Sequence, residues 1–186
     1  MKIDRLLFTA PQSAGGKTMV TCGILAALGE MGKKTVSFKC GPDYIDPMFH
    51  RKAVGTDAWN LDPFLTSASA LRSLLARHAK DADLAVIEGV MGYYDGLGGT
   101  TAKASAYELC SITGTPAVLI VDAKGMSTSV LAQIHGFFIM EKGQRHPRGP
   151  SKPDIPDALS PDETIDRGTA GHPGCRLCAG SPGLCV

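Results

Sequence analysis

Reactive side chains are concentrated in residues 39–50, Lys-Cys-Gly-Pro-Asp-Tyr-Ile-Asp-Pro-Met-Phe-His, which we call the acidic segment. A lysine, two carboxylates and a tyrosine this close together could bind a charged substrate, hold a magnesium ion or transfer a proton. Two prolines bracket most of these groups, and a predicted strand precedes them, so we expect one rigid loop. This density of functional groups indicates a site and not a linker.

A second group, residues 11–18, has the glycine-lysine-threonine ending of a phosphate-binding loop. In such a loop, backbone N–H groups and the start of the next helix bind phosphate oxygens, so ATP is the expected ligand. Lys17 would neutralise phosphate charge, and the Thr18 hydroxyl would bind Mg²⁺. The alternative is a glycine-rich turn, but strand, loop and helix occur here in the required order. The predicted nucleotide-binding residues are Ser13, Gly15, Gly16, Lys17 and Thr18.

Two further carboxylates follow a predicted buried strand. Glu88 ends the apolar run 84–87, so its carboxylate should emerge at the sheet edge that carries the phosphate loop, as a magnesium ligand. Asp95 lies in the glycine-rich residues 92–96 and could orient the substrate, magnesium or a developing charge. Each has a plainer alternative, which is a solvated strand end for Glu88 and turn formation for Asp95, Asp43 and Asp46.

These groups need secondary-structure elements that bring them to one edge of a sheet. Short β-rich runs alternate with helical segments up to about residue 137, which predicts βαβ units. Gly32 should end the first helix. The predicted fold is α/β, with a P-loop NTPase-like parallel sheet flanked by helices. Strands are predicted at 5–9, 35–39, 84–88 and 117–122, and helices at 17–31, 67–79, 102–113 and from 127 onward.

Composition limits the partners and the location. Of the 186 residues, 44% are hydrophobic and 20% charged, which suits one core, and the net charge of +1 comes from scattered residues. No nucleic acid and no membrane is therefore an expected partner. The short apolar run near the N-terminus fits neither a signal peptide nor a spanning helix, so we expect a cytoplasmic protein acting on a small molecule. His50 and Trp59 are predicted to be structural, and Cys22, Cys40 and Cys110 to be reduced.

The chain changes character after about residue 137. Seven of the twelve prolines lie in residues 147–182, and no run there suits an amphipathic helix or a strand. We therefore predict a P-loop ATP-binding domain at 1–140 and a proline- and glycine-rich tail at 141–186. The tail is either a disordered extension or an out-of-frame translation, and its lack of one linker chemistry favours the second. Zinc binding there is disfavoured, because only one close cysteine pair occurs among His172, Cys175, Cys178 and Cys185.

Residues 38–50 resemble the hallmark loop of the cobyrinate a,c-diamide synthases. Residues 10–18, 60–62, 88–96 and 121–126 resemble the same family in order and spacing, so the likeness covers about residues 5–137. Dethiobiotin synthetase belongs to the same P-loop superfamily and also activates a carboxylate with ATP. The resemblance implies ATP-dependent phosphorylation of the a- and c-side-chain carboxylates of a corrinoid in cobalamin biosynthesis. Ammonia, supplied free or from glutamine, would then form the amides.

The resemblance also implies roles for individual residues. Phosphate and magnesium contacts would come from Lys17, Thr18, Asp43 and Glu88, of which Thr18, Asp43 and Glu88 would bind the metal. The substrate and its acyl phosphate would be positioned by Lys39, Tyr44, Asp46 and Asp95. The residues predicted to be catalytic are Lys17, Lys39, Asp43, Asp46, Glu88 and Asp95.

Two departures from the family pattern affect these expectations. Ala14 replaces a glycine, which would cost about 1 kcal/mol if φ there is positive, unless Gly15 absorbs the change. The family's glutaminase domain and its last synthetase strands have no counterpart here, so we expect an incomplete sheet and no use of glutamine. Alternatives are an inert fragment, or a nucleotide switch like the partitioning ATPases, which usually carry an early lysine that residues 11–13 lack. A homodimer, and the choice among cobyrinate, hydrogenobyrinate and nickel sirohydrochlorin, stay open.

Overall fold

The computed structural model describes residues 3–144 and 184–185. Its strands lie in the order β3-β2-β4-β1-β5-β6, and all the described pairs are parallel. The predicted α/β class with a parallel sheet is therefore confirmed. Because the strands run the same way, their carboxyl ends share one edge. The strands are β1 Arg5–Thr9, β2 Thr35–Cys40, β3 Asp57–Leu61, β4 Leu84–Glu88, β5 Ala117–Leu119 and β6 Leu184–Cys185.

Helices cover both faces of the sheet. The helix α1 packs on one face, and α3 and α4 pack on the other. A π-helical turn, His50–Val54, continues directly from α2, and a single 3-10 turn, Leu97–Gly99, precedes α4. None of the helices in the described residues is both long and apolar enough to cross a membrane. The helices are α1 Lys17–Glu30, α2 Ile45–Phe49, α3 Ala68–His78, α4 Ala106–Thr113 and α5 Val130–Gln144.

Alternation along the strands builds one apolar core on each face of the sheet. On β1, Leu7 belongs to the core under α3 and α4, whereas Phe8 belongs to the core under α1. On β4, Ile87 and Val86 divide in the same way. Successive side chains of a strand point to opposite faces, so Glu88 lies on the same face as Val86. The last residue of β4 thus directs its carboxylate toward α1, the helix that follows the phosphate loop.

Local signals fix the ends of the helices. Gly32 has φ +72° and donates its N–H to the carbonyl of Gly29 at 2.9 Å, so it terminates α1 as predicted. Ser67 and Ser105 cap α3 and α4, since each hydroxyl accepts a backbone N–H from the first turn. The cap at Ser105 is the reason that α4 begins at residue 106 and not at 102.

Other boundaries also differ from the sequence prediction. β5 covers residues 117–119 instead of 117–122, and α5 begins at residue 130 instead of 127. β3 was not predicted, because Asp57, Trp59 and Asn60 are exposed at this edge strand and give it little apolar pattern. The acidic segment is not one loop, because β2 extends through Cys40 and α2 begins at Ile45.

Most of the predicted tail, residues 141–186, lies outside the described residues, including the candidate zinc ligands His172, Cys175 and Cys178. The helix α5 passes the predicted domain boundary at residue 140 and continues to Gln144. The short strand β6 extends the sheet by pairing Leu184 with Ala117 of β5. Two residues give no periodic signal, so the sequence does not reveal this strand.

Candidate active site

A cavity opens at the carboxyl edge of the sheet, where β1 turns into α1. Its volume is about 350 Å³, and residues 13–19, Lys39, Glu88, Val90 and Met91 line it. No side chain caps α1, and its first turn contains no acidic residue. The positive end of the helix dipole therefore faces the cavity, and an anion such as a phosphate group complements it.

The backbone of the phosphate loop is held in a demanding conformation. Ala14 has φ +58° and Gly16 has φ +80°, both in the left-handed region. A Cβ on Gly15 would lie 2.7 Å from the Cβ of Ala10, so only glycine fits there. The expectation that Gly15 absorbs the strain at Ala14 is wrong, because Ala14 itself adopts the left-handed conformation. A non-glycine residue in that region costs about 1 kcal/mol.

Within the described residues, the side-chain hydrogen bonds of Lys17 go to neutral groups. Its Nζ donates to the carbonyl of Gln12 at 2.8 Å and to the carbonyl of Met91 at 2.7 Å. Burial, and then the positive charge of Lys39, lower the pKa of Lys17 below its usual range. Among the described residues, no carboxylate is hydrogen-bonded to the Lys17 ammonium at the cavity wall, where a phosphate group would neutralise its charge.

Glu88 is completely buried and lies at the centre of a polar cluster, which consists of Glu88, Thr18, Lys39, Asp46 and His50. Its Oε1 accepts from the Thr18 hydroxyl at 2.5 Å and from Lys39 Nζ at 2.8 Å, while His50 Nε2 lies 3.2 Å from Oε2. Burial alone would raise the pKa of Glu88, but the contacts from His50, Lys39 and Thr18 outweigh it and lower the pKa to about 2. Glu88 is therefore ionised at neutral pH despite its burial.

Lys39, the first residue of the acidic segment, connects Glu88 to the two aspartates of that segment. Its Nζ lies 2.6 Å from Asp46 Oδ2, 4.0 Å from Asp43 Oδ2 and 3.2 Å from the carbonyl of Gly89. Burial lowers the pKa of Lys39, but Glu88 and Asp46 outweigh burial and raise it. The pKa of Asp46 is also raised, because burial and the charge of Glu88 outweigh the single bond from Lys39. One ammonium thus contacts two carboxylates, Asp46 at 2.6 Å and Glu88 at 2.8 Å.

Asp43 lies at the start of α2, where its two carboxylate oxygens have different neighbours. Its Oδ1 accepts the backbone N–H groups of Ile45 at 2.8 Å and Asp46 at 3.4 Å, so it stabilises the start of α2. Asn60 on β3 fixes this turn by donating to the carbonyls of Gly41 and Asp43. The turn-forming alternative therefore describes Asp43 Oδ1, while its Oδ2 faces Lys39.

Asp95 and Tyr44 lie at the outer parts of the site. Asp95 is exposed, and its Oδ2 accepts the N–H of Gly92 at 3.0 Å, which closes a tight turn. A Cβ on Gly92 would collide with Asp95 and with the carbonyl of Pro11, so this turn packs directly against the phosphate loop. Tyr44 is 85% exposed and takes no part in the polar cluster. The predicted substrate roles of Asp95 and Tyr44 stay predictions.

His50 is the residue whose position sequence reasoning missed. It is completely buried, with Nδ1 2.7 Å from the Ser37 hydroxyl and Nε2 facing Glu88. The sequence did indicate a polar contact at this strand. Ser37 and Lys39 are polar and two residues apart, so their side chains share one face of β2. Trp59 fits the structural role predicted for it, since it stacks on His78 with ring centroids 3.7 Å apart.

The donor set at the cavity fits a magnesium ion through two residues. Within residues 3–144, no three or more His, Cys, Asp and Glu side chains converge as metal ligands. Mg²⁺ nevertheless binds commonly through one or two protein oxygens, with phosphate oxygens and waters as its other ligands. Thr18 Oγ1 and Glu88 Oε1 are adjacent at the cavity wall and suit this role. The metal-ligand role predicted for Asp43 stays a prediction. Glu88 Oε2 is also buried without a well-aligned hydrogen bond.

Comparisons with known proteins agree on one family. The chain is 40% identical over 149 residues to the hydrogenobyrinate a,c-diamide synthase of Mycobacterium tuberculosis strain H37Rv, covering 78% of this chain and 33% of that protein. It is 44% identical over 136 residues to the cobyrinate a,c-diamide synthase of Listeria innocua, covering 73% and 30%. The enzyme of the same name from Thermoplasma acidophilum is 41% identical over 136 residues, again covering 73% and 30%.

No family model matches the chain. The chain spans about a third of the length of the curated relatives it matches. Within that span, the parallel sheet and the phosphate loop have the arrangement that the family resemblance implies. By its sequence, the chain belongs to the cobyrinate and hydrogenobyrinate a,c-diamide synthase family.

Proposed function

We propose that this chain carries the ATP-dependent, amide-forming site of an a,c-diamide synthase acting on a cobyrinate-type corrinoid in cobalamin biosynthesis. One observation carries the proposal. Lys17, Thr18, Lys39 and Glu88 line a single cavity at the start of α1, so cationic groups and a candidate magnesium site share one space. Phosphoryl transfer depends mainly on such positioning and charge stabilisation.

The nucleotide end of the site would be formed by the phosphate loop. Backbone N–H groups at residues 13–16 and the start of α1 would bind the ATP phosphates. Lys17 would exchange its carbonyl partners, Gln12 and Met91, for phosphate oxygens, because a charge-assisted bond is the stronger one. Thr18 and Glu88 would hold Mg²⁺, which neutralises phosphate charge when bound.

The first chemical step would activate a carboxylate of the corrinoid. A carboxylate oxygen attacks the γ-phosphorus of ATP, the bond to the β-phosphate oxygen breaks, and ADP leaves. The product is an acyl phosphate, whose phosphate is a good leaving group. Lys17 and the loop N–H groups would stabilise the charge that develops on the phosphoryl oxygens.

The second step would form the amide. Ammonia attacks the acyl carbon, the bond between that carbon and the phosphate oxygen breaks, and inorganic phosphate leaves. The nitrogen gives up one proton during the attack. Asp46, whose pKa is raised by burial and by Glu88, lies beside the cavity as a candidate acceptor for that proton.

The corrinoid would approach from the side of the acidic segment. Lys39 can bind a substrate carboxylate only by giving up one of its present partners, and Asp46 is the more exposed of the two. Tyr44 and Asp95 are both exposed, and they would contact the macrocycle and its side chains. Ammonia, supplied free or from glutamine, is the proposed nitrogen donor.

The test is amide formation by the purified full chain with ATP, Mg²⁺ and either cobyrinate or hydrogenobyrinate. Ammonium and glutamine are compared as nitrogen donors, and the products are followed by mass spectrometry. Ammonium-dependent mono- and diamide, formed with equal release of ADP, is the expected result. Lys17→Met serves as the matched negative control, because it removes the phosphate-binding charge and little volume.

Absence of amide with both donors, in a chain that binds ATP, would contradict the proposed function. A concentration-dependent dimer driven by ATP without any turnover would instead favour a nucleotide switch. Glutamine-dependent amide from the purified chain would contradict only the expectation that ammonia must be supplied.

A further inference from the structure

Two pairs of polar side chains connect β2 to residues 46–50 of the acidic segment. Lys39 contacts Asp46 at 2.6 Å, and Ser37 contacts His50 at 2.7 Å. Ser37 and Lys39 are two residues apart on the strand, and Asp46 and His50 are four residues apart on the continuous helical run from α2 into the π-helical turn. These spacings place Ser37 and Lys39 on one face of β2. They also place Asp46 and His50 on one face of the helical run, so both contacts form between the same two faces.

The contact between Ser37 and His50 continues to Glu88. All three residues are completely buried, and Glu88 alone among them lines the cavity. His50 Nε2 lies 3.2 Å from Glu88 Oε2, whereas Oε1 is bonded to Thr18 and Lys39. Each oxygen of the carboxylate therefore has its own neighbours, and His50 is the one beside Oε2.

The hydrogen-bonding capacity of each group limits where the protons lie between Ser37, His50 and Glu88. An ionised carboxylate only accepts, so the 3.2 Å contact with Glu88 Oε2 calls for a proton on His50 Nε2. Nδ1 then accepts, and the Ser37 hydroxyl donates to it, which fixes the tautomer. A side chain that merely filled the core would not require the serine at this position.

We propose that Ser37 and His50 form a positioning pair that fixes Oε2 of Glu88, so that Oε1 is presented together with Thr18 to a magnesium ion at the phosphate loop. The proposal rests on the proposed function, because that function supplies the metal. His50 touches neither the cavity nor any reacting atom, so it acts through Glu88. Partners that orient a metal ligand in this way typically contribute about 10–100-fold to metal affinity.

The experiment measures the affinity of the full chain for ATP in excess Mn²⁺, where all the nucleotide is the Mn²⁺ complex, and the gain over metal-free ATP reports Mn²⁺ binding at the site. ATP binding without metal is measured separately in EDTA. We expect His50→Leu to weaken Mn²⁺ binding about 10–100-fold while metal-free ATP affinity stays within about twofold, since Lys17 and the loop are untouched. His50→Gln, whose amide keeps a donor toward Glu88, should restore most of the loss.

Ser37→Ala provides a milder variant that keeps the ring and removes only the tautomer-fixing donor. It should weaken Mn²⁺ binding less than His50→Leu does, and it tests the pair even if His50→Leu fails to fold. Glu88→Gln sets the upper limit of the effect. Unchanged Mn²⁺ affinity in Ser37→Ala and His50→Leu, or equal losses in His50→Gln and His50→Leu, would overturn the positioning pair.

Binding and turnover separate this proposal from the proposed function. Mn²⁺ affinities that follow the expected order, in a chain that makes no amide, would support the pair and contradict the enzymatic proposal. Metal-free and metal-dependent ATP affinities that fall in parallel with the folded fraction would show a purely structural role for His50. A wild-type chain that binds no Mn²⁺ with ATP would overturn both proposals.

Discussion

The phosphate loop and the acidic segment face the same cavity with one lysine each, and the two lysines are held in opposite ways. Lys17 donates to the neutral carbonyls of Gln12 and Met91, whereas Lys39 contacts the carboxylates of Asp46 and Glu88 at 2.6 and 2.8 Å. Burial and the charge of Lys39 lower the pKa of Lys17. Burial acts the same way on Lys39, but its carboxylates outweigh it and raise the pKa.

The charge of Lys17 has to be neutralised by a bound ligand, whereas the charge of Lys39 is already neutralised by carboxylates of the protein. A buried ammonium bonded to carbonyls alone has lost much of its hydration without gaining a directly bonded carboxylate. An anionic ligand at Lys17 supplies a directly bonded negative charge, whereas at Lys39 it would have to displace Asp46. We therefore expect Lys17 to contribute mainly to ligand binding and Lys39 mainly to folding.

The largest effect should come from removing the compensated charge. Lys39→Met leaves Glu88 and Asp46 facing each other without their shared cation, which should reduce the free energy of unfolding by about 3–5 kcal/mol. Lys17→Met removes a charge that the fold does not compensate, so its cost should be about 1 kcal/mol or less. Urea unfolding of the two variants, followed by circular dichroism, measures this difference.

The double variant Lys39→Met, Glu88→Gln provides the control for that experiment. It removes the buried negative charge together with the cation, so it should recover part of the stability lost in Lys39→Met. Equal destabilisation by Lys17→Met and Lys39→Met would break the comparison, because the two lysines would then have the same structural role.

The phosphate loop was predictable from sequence because its determinants are local. β1 and β4 are short apolar runs with the predicted ends, and the glycine-lysine-threonine sequence places α1 directly after the loop. The same locality predicts Gly32 as the end of α1. The left-handed conformation of Ala14 was anticipated only as a condition, because no residue type demands it and the neighbouring Gly15 offered an apparent alternative.

The acidic segment was only partly predictable because its contacts join elements that are far apart in sequence. Its residues were recognised as a site, but α2 was missed, since a five-residue helix that contains Pro47 gives almost no periodic signal. The edge strand β3 was missed as well, although Asn60 on it anchors the turn at Asp43. His50 could be placed only by combining the helical spacing of four with the strand spacing of two, which requires the fold first.

A second, intermediate effect should appear in nucleotide binding. Lys17→Met should weaken ATP binding by about 1.5–3 kcal/mol, because it removes a charged hydrogen-bond donor to the phosphates. Lys33→Met, which changes an exposed lysine just beyond α1, is the matched control and should leave the affinity unchanged. Isothermal titration calorimetry at fixed ionic strength measures both affinities. An unchanged affinity in Lys17→Met would mean that Lys17 stays on its carbonyl partners when nucleotide binds.

The smallest effect sharpens the comparison by changing backbone freedom and no charge. Ala14→Gly removes the Cβ from a residue at φ +58°, which should raise the free energy of unfolding by about 1 kcal/mol. Gly16→Ala is the matched reverse change, since Gly16 has φ +80° and open space around an added Cβ, and it should cost a similar amount. Urea unfolding measures both, and raised salt should leave both differences nearly unchanged, because neither alters an ion pair. No gain from Ala14→Gly, beside a clear loss from Gly16→Ala, would show that the loop accommodates alanine at position 14 without strain.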